Sequence, residues 1–386
     1  MLKSRKFYVL LALAALGAVL LVQPAWADRL ADAIASAPVG DGPGMIPATG
    51  ETGFLGITGA PTVPIWLAFL WAIWVGWIFS TVGAFGGIMA GVGHITIYGF
   101  GDYASSFKKT SPVLNKMITD SIRVSNQWLV GTSAAVGSYN YYRMGRLVLP
   151  LGLALAVGSI SGSYLIPVLT AGKISLKQYI GYFGLFVLFL GCYLFYQTTP
   201  KGQASQKKAK AAAKAFEATT KKERTGEAVD TASLGVKLKS FSLTKVVFTF
   251  YGVEFDFNPI IPVLGGFVIA ALASFLGVGG GFLLVPFLTA VAGLPMYLVA
   301  GTSALAVLVG MTTSIFTYVV VKGTPVFWPL IGAELVGIVV GSLIGPRTSK
   351  FIPDRWLKII FIVLAFYVGI RYASKGFLGQ AWLPPF

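Results

Sequence analysis

Two glycine clusters carry the least ordinary chemistry in this chain. Gly277-Val278-Gly279-Gly280-Gly281 interrupts an otherwise apolar run, and Gly83-Ala84-Phe85-Gly86-Gly87 does the same earlier. Glycine weakens a helix by about 1 kcal/mol per residue relative to alanine, so neither cluster continues a stable helix. Irregular backbone at membrane depth survives only where it is buried in protein or lines a wet cavity, which makes each cluster a broken helix or a re-entrant turn. The freed N–H groups, at the positive end of the half-helix that follows, suit an oxyanion. Close helix packing through small residues is the competing explanation. Downstream of each cluster stand groups able to replace a solute's hydration shell: Thr302 and Ser303 in one case, Arg123, Ser125 and Asn126 in the other. With Gly86, Gly87, Gly279, Gly280 and Gly281 they form the candidate anion-binding set.

Ionisable groups inside apolar spans are costly and are therefore functional candidates. Glu334 lies within the run Phe327–Ile344 and is suited to accept a proton and couple transport to a proton gradient, or to serve as a structural hydrogen-bonding group. His94, the only histidine, titrates near neutral pH when unperturbed, and it too has a structural alternative. One histidine and one cysteine, Cys192, leave no recognisable nucleophile–base pair, metal cluster or intrachain disulfide, and the chain has no phosphate-binding P-loop. The expectation is a protein that is not an enzyme and carries no metal or cofactor.

The elements that must position these residues follow from composition. At 386 residues, 55% hydrophobic and 11% charged, the chain is too apolar for one soluble core, so lipid must cover it. Stretches such as Ile65–Phe85, Leu147–Leu169, Tyr179–Tyr196 and Leu357–Ile370 approach or reach the roughly 20 apolar residues that span a bilayer. The net charge of +16 does not indicate nucleic acid, because the basic residues cluster between spans rather than along one soluble face.

Residues 1–27 match a signal peptide, with Lys3, Arg5 and Lys6, an apolar run and Ala25-Trp26-Ala27, or else a retained first helix. Residues 28–63 then form an extracytoplasmic arm, with a short surface helix over Asp28–Ala37 and a loose Gly- and Pro-rich stretch to Pro64. Between two membrane repeats, 64–197 and 259–373, a connector at 198–258 is basic. Over Gln197–Lys245 eleven Lys/Arg face four Asp/Glu, which makes it cytoplasmic and able to meet anionic lipid, although a solvated helical linker explains the same composition. The tail, 374–386, falls outside.

Working outward from the connector, Tyr179–Tyr196 runs inward, Leu147–Leu169 outward and Thr119–Tyr142 inward, while Pro64–Phe100 crosses an even number of times, or enters and returns, with its break near Gly83–Gly87. The second half repeats the scheme with Ile260–Leu276, Gly281–Gly293, Leu298–Val321, Phe327–Ile344 and Leu357–Ile370. Pro150-Leu151, Gly158 and Gly162-Ser163 recur at constant spacing as Pro329-Leu330, Gly337 and Gly341-Ser342. The fold class is thus an all-α polytopic membrane protein with two related repeats of about five passes each. An odd number of passes inverts the second repeat relative to the first.

Gly277-Val-Gly-Gly-Gly-Phe-Leu-Leu-Val-Pro286, Ala300-Gly-Thr-Ser-Ala304 and Lys322-Gly323 resemble the sulfite exporter TauE/SafE family of membrane permeases, over roughly Pro64–Tyr372. The resemblance implies a two-repeat bacterial inner-membrane transporter for sulfite, a sulfonate or a related organic anion. The first half departs from the family pattern in its degraded glycine motif, in His94, in the Gly99–Asn115 insertion and in Arg123.

Overall fold

The computed structural model describes residues 24–82, 86–170, 176–204, 207–225, 234–276 and 281–384. Helix α1 (Pro24–Ala35) opens the arm. The first set of apolar helices is α2 (Ile65–Val82), α3 (Gly86–Val92), α4 (Phe100–Ser106), α5 (Pro112–Arg143), α6 (Leu149–Thr170) and α7 (Leu176–Thr198). The connector holds α8 (Pro200–Ala204), α9 (Lys207–Arg224) and strands β1 (Lys237–Phe241), β2 (Val246–Phe250) and β3 (Val253–Phe257). The second set is α10 (Ile260–Leu276), α11 (Gly281–Ala290), α12 (Met296–Phe316), α13 (Trp328–Ser349) and α14 (Asp354–Leu378). Single π-helical turns, Gly93–Ile97 and Thr317–Val321, follow α3 and α12.

Helices Met296–Val321, Trp328–Ser349 and Asp354–Leu378 are long and apolar enough to cross a membrane, and shorter apolar helices cover Ile65–Thr81, Gly86–Ile97, Leu149–Leu165, Gly184–Thr198 and Ile260–Ala271. Their outward faces carry Trp66, Leu70, Val157, Ile160, Leu185, Phe189, Leu264, Val268, Val336 and Val363, all exposed large apolar groups that only lipid accommodates.

The packing is reciprocal between the sets. Helix α2 lies along α13 and α10 lies along α6; α5 pairs with α12, α7 with α14, and the short α3 touches α11. Glycine makes the first two pairings possible. A Cβ on Gly341 would stand 2.1 Å from the carbonyl oxygen of Ile73, and one on Gly162 would stand 2.5 Å from that of Phe267. Such distances admit only a hydrogen, so small residues let the backbones approach as in other membrane helix pairs.

Two expectations need correction. The chain is mostly helical but not all-α, because the connector ends in a three-stranded antiparallel sheet ordered β1-β2-β3. Val246, Phe248 and Phe250 alternate inward on β2, and Phe255 of β3 joins them, so the sheet turns an apolar face inward, with Phe250 stacked on Phe216 of α9. The arm is not loose either. Phe54 and Ile57 are buried among Phe100, Phe107, Leu114 and Ile118, and Phe54 N–H donates to the Pro61 carbonyl. Burial of these few apolar side chains outweighs the flexibility that its Gly and Pro content suggests.

Candidate functional site

His94 sits in the π-turn after α3, where the widened ladder re-aims side chains relative to a regular helix. It is 1% exposed. Its Nε2 lies 2.9 Å from Oε2 of Glu334, which is fully buried, and its Nδ1 bonds Oδ1 of Asn126 on α5. From Trp328 to Glu334 the α13 axis rises roughly 9 Å, so the carboxylate lies inside the span rather than at its edge. Three elements from both sets of helices therefore converge on one imidazole.

Both ring nitrogens face acceptor oxygens in this arrangement. An ionised Glu334 and a carbonyl-inward Asn126 require a doubly protonated ring, hence a buried ion pair. A neutral ring requires either a proton on Glu334 or a flip of the Asn126 amide, since each nitrogen can donate only if it carries hydrogen. The ion pair and the neutral pair with a proton on Glu334 hold the same number of protons, and loss of one proton goes with the flipped Asn126 amide. Such a pair is strongly destabilising when one partner alone is removed.

Around the pair the sequence supplies aromatics. Phe100 stacks on His94 with centroids 6.2 Å apart at 14°, and Tyr98 meets it edge-on at 5.4 Å. Phe54 of the arm stacks on Phe100 at 4.0 Å and touches Phe327 edge-on at 5.8 Å, so the arm covers this end of the cluster. Glu334 Oε1 and the hydroxyls of Tyr98 and Ser125 are buried without a hydrogen-bond partner among the described residues. Unsatisfied buried polar atoms are rare, and here the Tyr98 hydroxyl and Glu334 lie within reach of one another.

The other candidates separate. Gly86 and Gly87 are buried at the start of α3, Gly281 begins α11, and these two short helices touch. Gly279 and Gly280 lie outside the described residues. Arg123 pairs with Asp120 at 3.3 Å. Asn126 stands with His94 and Ser125 is its buried neighbour on α5, but Thr302 and Ser303 sit toward the connector end. There the Thr302 hydroxyl accepts from Val148 N–H at 3.2 Å, and the Ser303 hydroxyl donates to the Ala300 carbonyl at 3.2 Å.

Sequence reasoning missed Tyr98, whose only signal was its place four residues after the sole histidine, and singled out no role for Arg146 at a site. Arg146 is 1% exposed, caged by the rings of Tyr141, Phe216 and Tyr297 at 4.8, 5.2 and 5.4 Å. It donates to the carbonyls of Tyr297 and Pro346 at 3.3 and 3.2 Å. Burial pulls the guanidinium below its ordinary value, yet arginine starts so high that the group stays charged. It therefore locks the turn after α5 to α12, α13 and the connector helix α9.

The chain matches the sulfite exporter TauE/SafE family over residues 68–372. It is also 32% identical over 116 residues to a protein of Methanocaldococcus jannaschii named as a probable membrane transporter, a match covering 28% of this chain and 43% of that relative. The matched region is less than half of that relative's length. No solved structure matches the chain. Glycine-led helices, lipid-facing apolar surfaces and a match across most of the chain lead to one conclusion: this membrane protein belongs to the sulfite exporter TauE/SafE family of transporters.

Proposed function

We propose that the protein is a secondary transporter of a small anion, namely sulfite, a sulfonate or a related organosulfur or organic anion, coupled to an ion gradient. The observation that carries the coupling is the His94–Glu334 contact at 2.9 Å between elements of the two halves. A proton arriving at or leaving this pair changes its hydrogen bonding, and with it the relation of α3 to α13. The resulting population shift is the kind on which alternating access depends.

The solute site extends from this cluster along the glycine-led helices: Gly86, Gly87, Gly279, Gly280 and Gly281 provide backbone N–H groups, Ser125 and Asn126 hydrogen bonds, and Arg123 positive charge at the arm end. Thr302 and Ser303 line the path toward the connector end. The reciprocal pairing of α2 with α13 and α10 with α6 supports two inverted repeats of five segments each. The spacings that lay Pro150 on Pro329 and Gly83 on Gly277 place Leu155, Leu305 and Leu288 opposite Glu334, Asn126 and His94. On this reading the two interfaces between the repeats differ: one carries His94, Asn126 and Glu334, and the equivalent one is an apolar seam of Leu288, Leu305 and Leu155. The protein lies in a bacterial inner membrane with the connector in the cytoplasm, in keeping with the basic turns at Arg143 and Arg347.

Purified protein in liposomes tests the reading with radiolabelled sulfite, a sulfonate and a carboxylate. Saturable, gradient-driven flux of one of them is expected. Non-saturable flux would replace the carrier by a passive anion channel, and absence of flux for all three would leave a partner subunit.

A further inference from the structure

A cavity of about 270 Å³ opens at the connector end where α7 finishes, α14 begins and α9 lies across them. Lys210 and Lys214 line it from α9, one helical turn apart, and Arg355 and Lys358 line it from α14. Its two acids are already engaged. Glu217 accepts from the Tyr297 hydroxyl at 3.0 Å and from Asp354 N–H at 2.9 Å, and Asp354 accepts from Met296 N–H at 2.6 Å and pairs with Lys358 at 3.4 Å. Positive charge on Lys214 and Arg355 has no carboxylate partner among the described residues.

The decisive group is Gln197, the last residue but one of α7. It lines the cavity, is 4% exposed, and neither its amide oxygen nor its amide nitrogen has a hydrogen-bond partner among the described residues. A buried primary amide beside unneutralised cations is built to donate to an anion. The depth of the cavity is fixed by the aromatics around it. Phe195, Tyr196, Phe351 and Trp356 are all more than half exposed at this same end, the pattern of side chains that settle at the headgroup layer.

We propose that this cavity binds the phosphate of an anionic phospholipid, with Gln197, Lys214 and Arg355 as its ligands. Basic pockets at the cytoplasmic ends of membrane helices hold such headgroups. The lipid would tie α9 to α7 and α14 and so hold the connector on the membrane part of the protein.

Native mass spectrometry of the full-length protein tests this with three probes: phosphatidylglycerol, phosphatidylcholine and inorganic phosphate. One tightly held phosphatidylglycerol, retained in preference to phosphatidylcholine and not displaced by inorganic phosphate, is expected. Lys214→Gln and Arg355→Gln should each weaken that retention about tenfold, and Gln197→Leu about fivefold. Equal retention of both lipids, or unchanged retention in all three variants, would overturn the site. Displacement by inorganic phosphate would overturn its assignment to lipid. The wild-type discrimination between lipids needs no variant to fold, so the proposal stays testable if a substitution proves unstable.

Discussion

His94 and Glu334, 240 positions apart in the chain, meet at 2.9 Å where neither is exposed to solvent. Each leaves the other as an uncompensated buried group if it is removed alone. Glu334→Leu should therefore cost about 3–5 kcal/mol, and His94→Leu a comparable amount. The double variant His94→Leu/Glu334→Leu reproduces the apolar residues at the equivalent positions of the other half, Leu288 and Leu155, and should recover most of the loss. Thermal unfolding in detergent measures this. A double variant no more stable than the worse single one would mean that the pair is held by its surroundings and not by mutual compensation.

Ser125 separates stability from function. Its buried hydroxyl has no partner among the described residues, so Ser125→Ala removes an unsatisfied group and should raise stability by up to about 1 kcal/mol. If the hydroxyl serves the solute, the same change weakens apparent substrate affinity about fivefold. Opposite movements of Tm and affinity are the expected result. A fall in Tm with unchanged transport kinetics would return Ser125 to packing.

Glycine contacts make a prediction about the helix pairs. Gly341→Val and Gly162→Val place atoms against the backbones of α2 and α10 and should each lower stability by several kcal/mol or prevent folding. Gly332, on the same helix as Gly341, has nothing within 4 Å of a Cβ, and Gly332→Ala should be neutral or stabilising by about 0.5–1 kcal/mol. Comparable losses at Gly332 and Gly341 would show that helix propensity, not close approach, decides these sites.

Phe216 ties the connector to the cage around Arg146, with its ring 4.3 Å from that of Tyr297. Phe216→Ala should expose the connector to limited proteolysis while leaving the membrane helices folded, because the lost contacts all lie at one end. Unchanged digestion would show that Glu217 and the Lys350–Glu223 pair at 3.2 Å hold the connector without it.

Which parts were legible follows from what sets them. Apolar spans are set by local composition, and the expected Ile260–Leu276 coincides with α10. The recurrence of Gly158 and Gly162 as Gly337 and Gly341 was visible too, and the backbone approaches at Gly162 and Gly341 give its physical cause. The connector's sheet was legible in principle, since Val246, Phe248 and Phe250 alternate and Tyr251-Gly252 turns the chain, but lysine-rich composition suggested a helical linker. Packing of the arm depends on Phe54 meeting Phe100, a tertiary contact that Gly and Pro content does not report. His94, Asn126 and Glu334 were each singled out, yet their meeting depends on three elements converging, and no spacing in the chain encodes that.

On the proposed mechanism, His94 and Glu334 couple anion movement to protons. Proteoliposomes carrying an internal pH indicator, given a sulfite gradient and no initial pH gradient, read both fluxes at once, with Glu334→Gln as the variant that keeps the side chain's shape and removes its charge. A lumenal pH change that tracks saturable sulfite flux is expected in the wild type, reduced about tenfold or more, relative to sulfite moved, in Glu334→Gln. Equal proton movement per sulfite in the two proteins would contradict the mechanism.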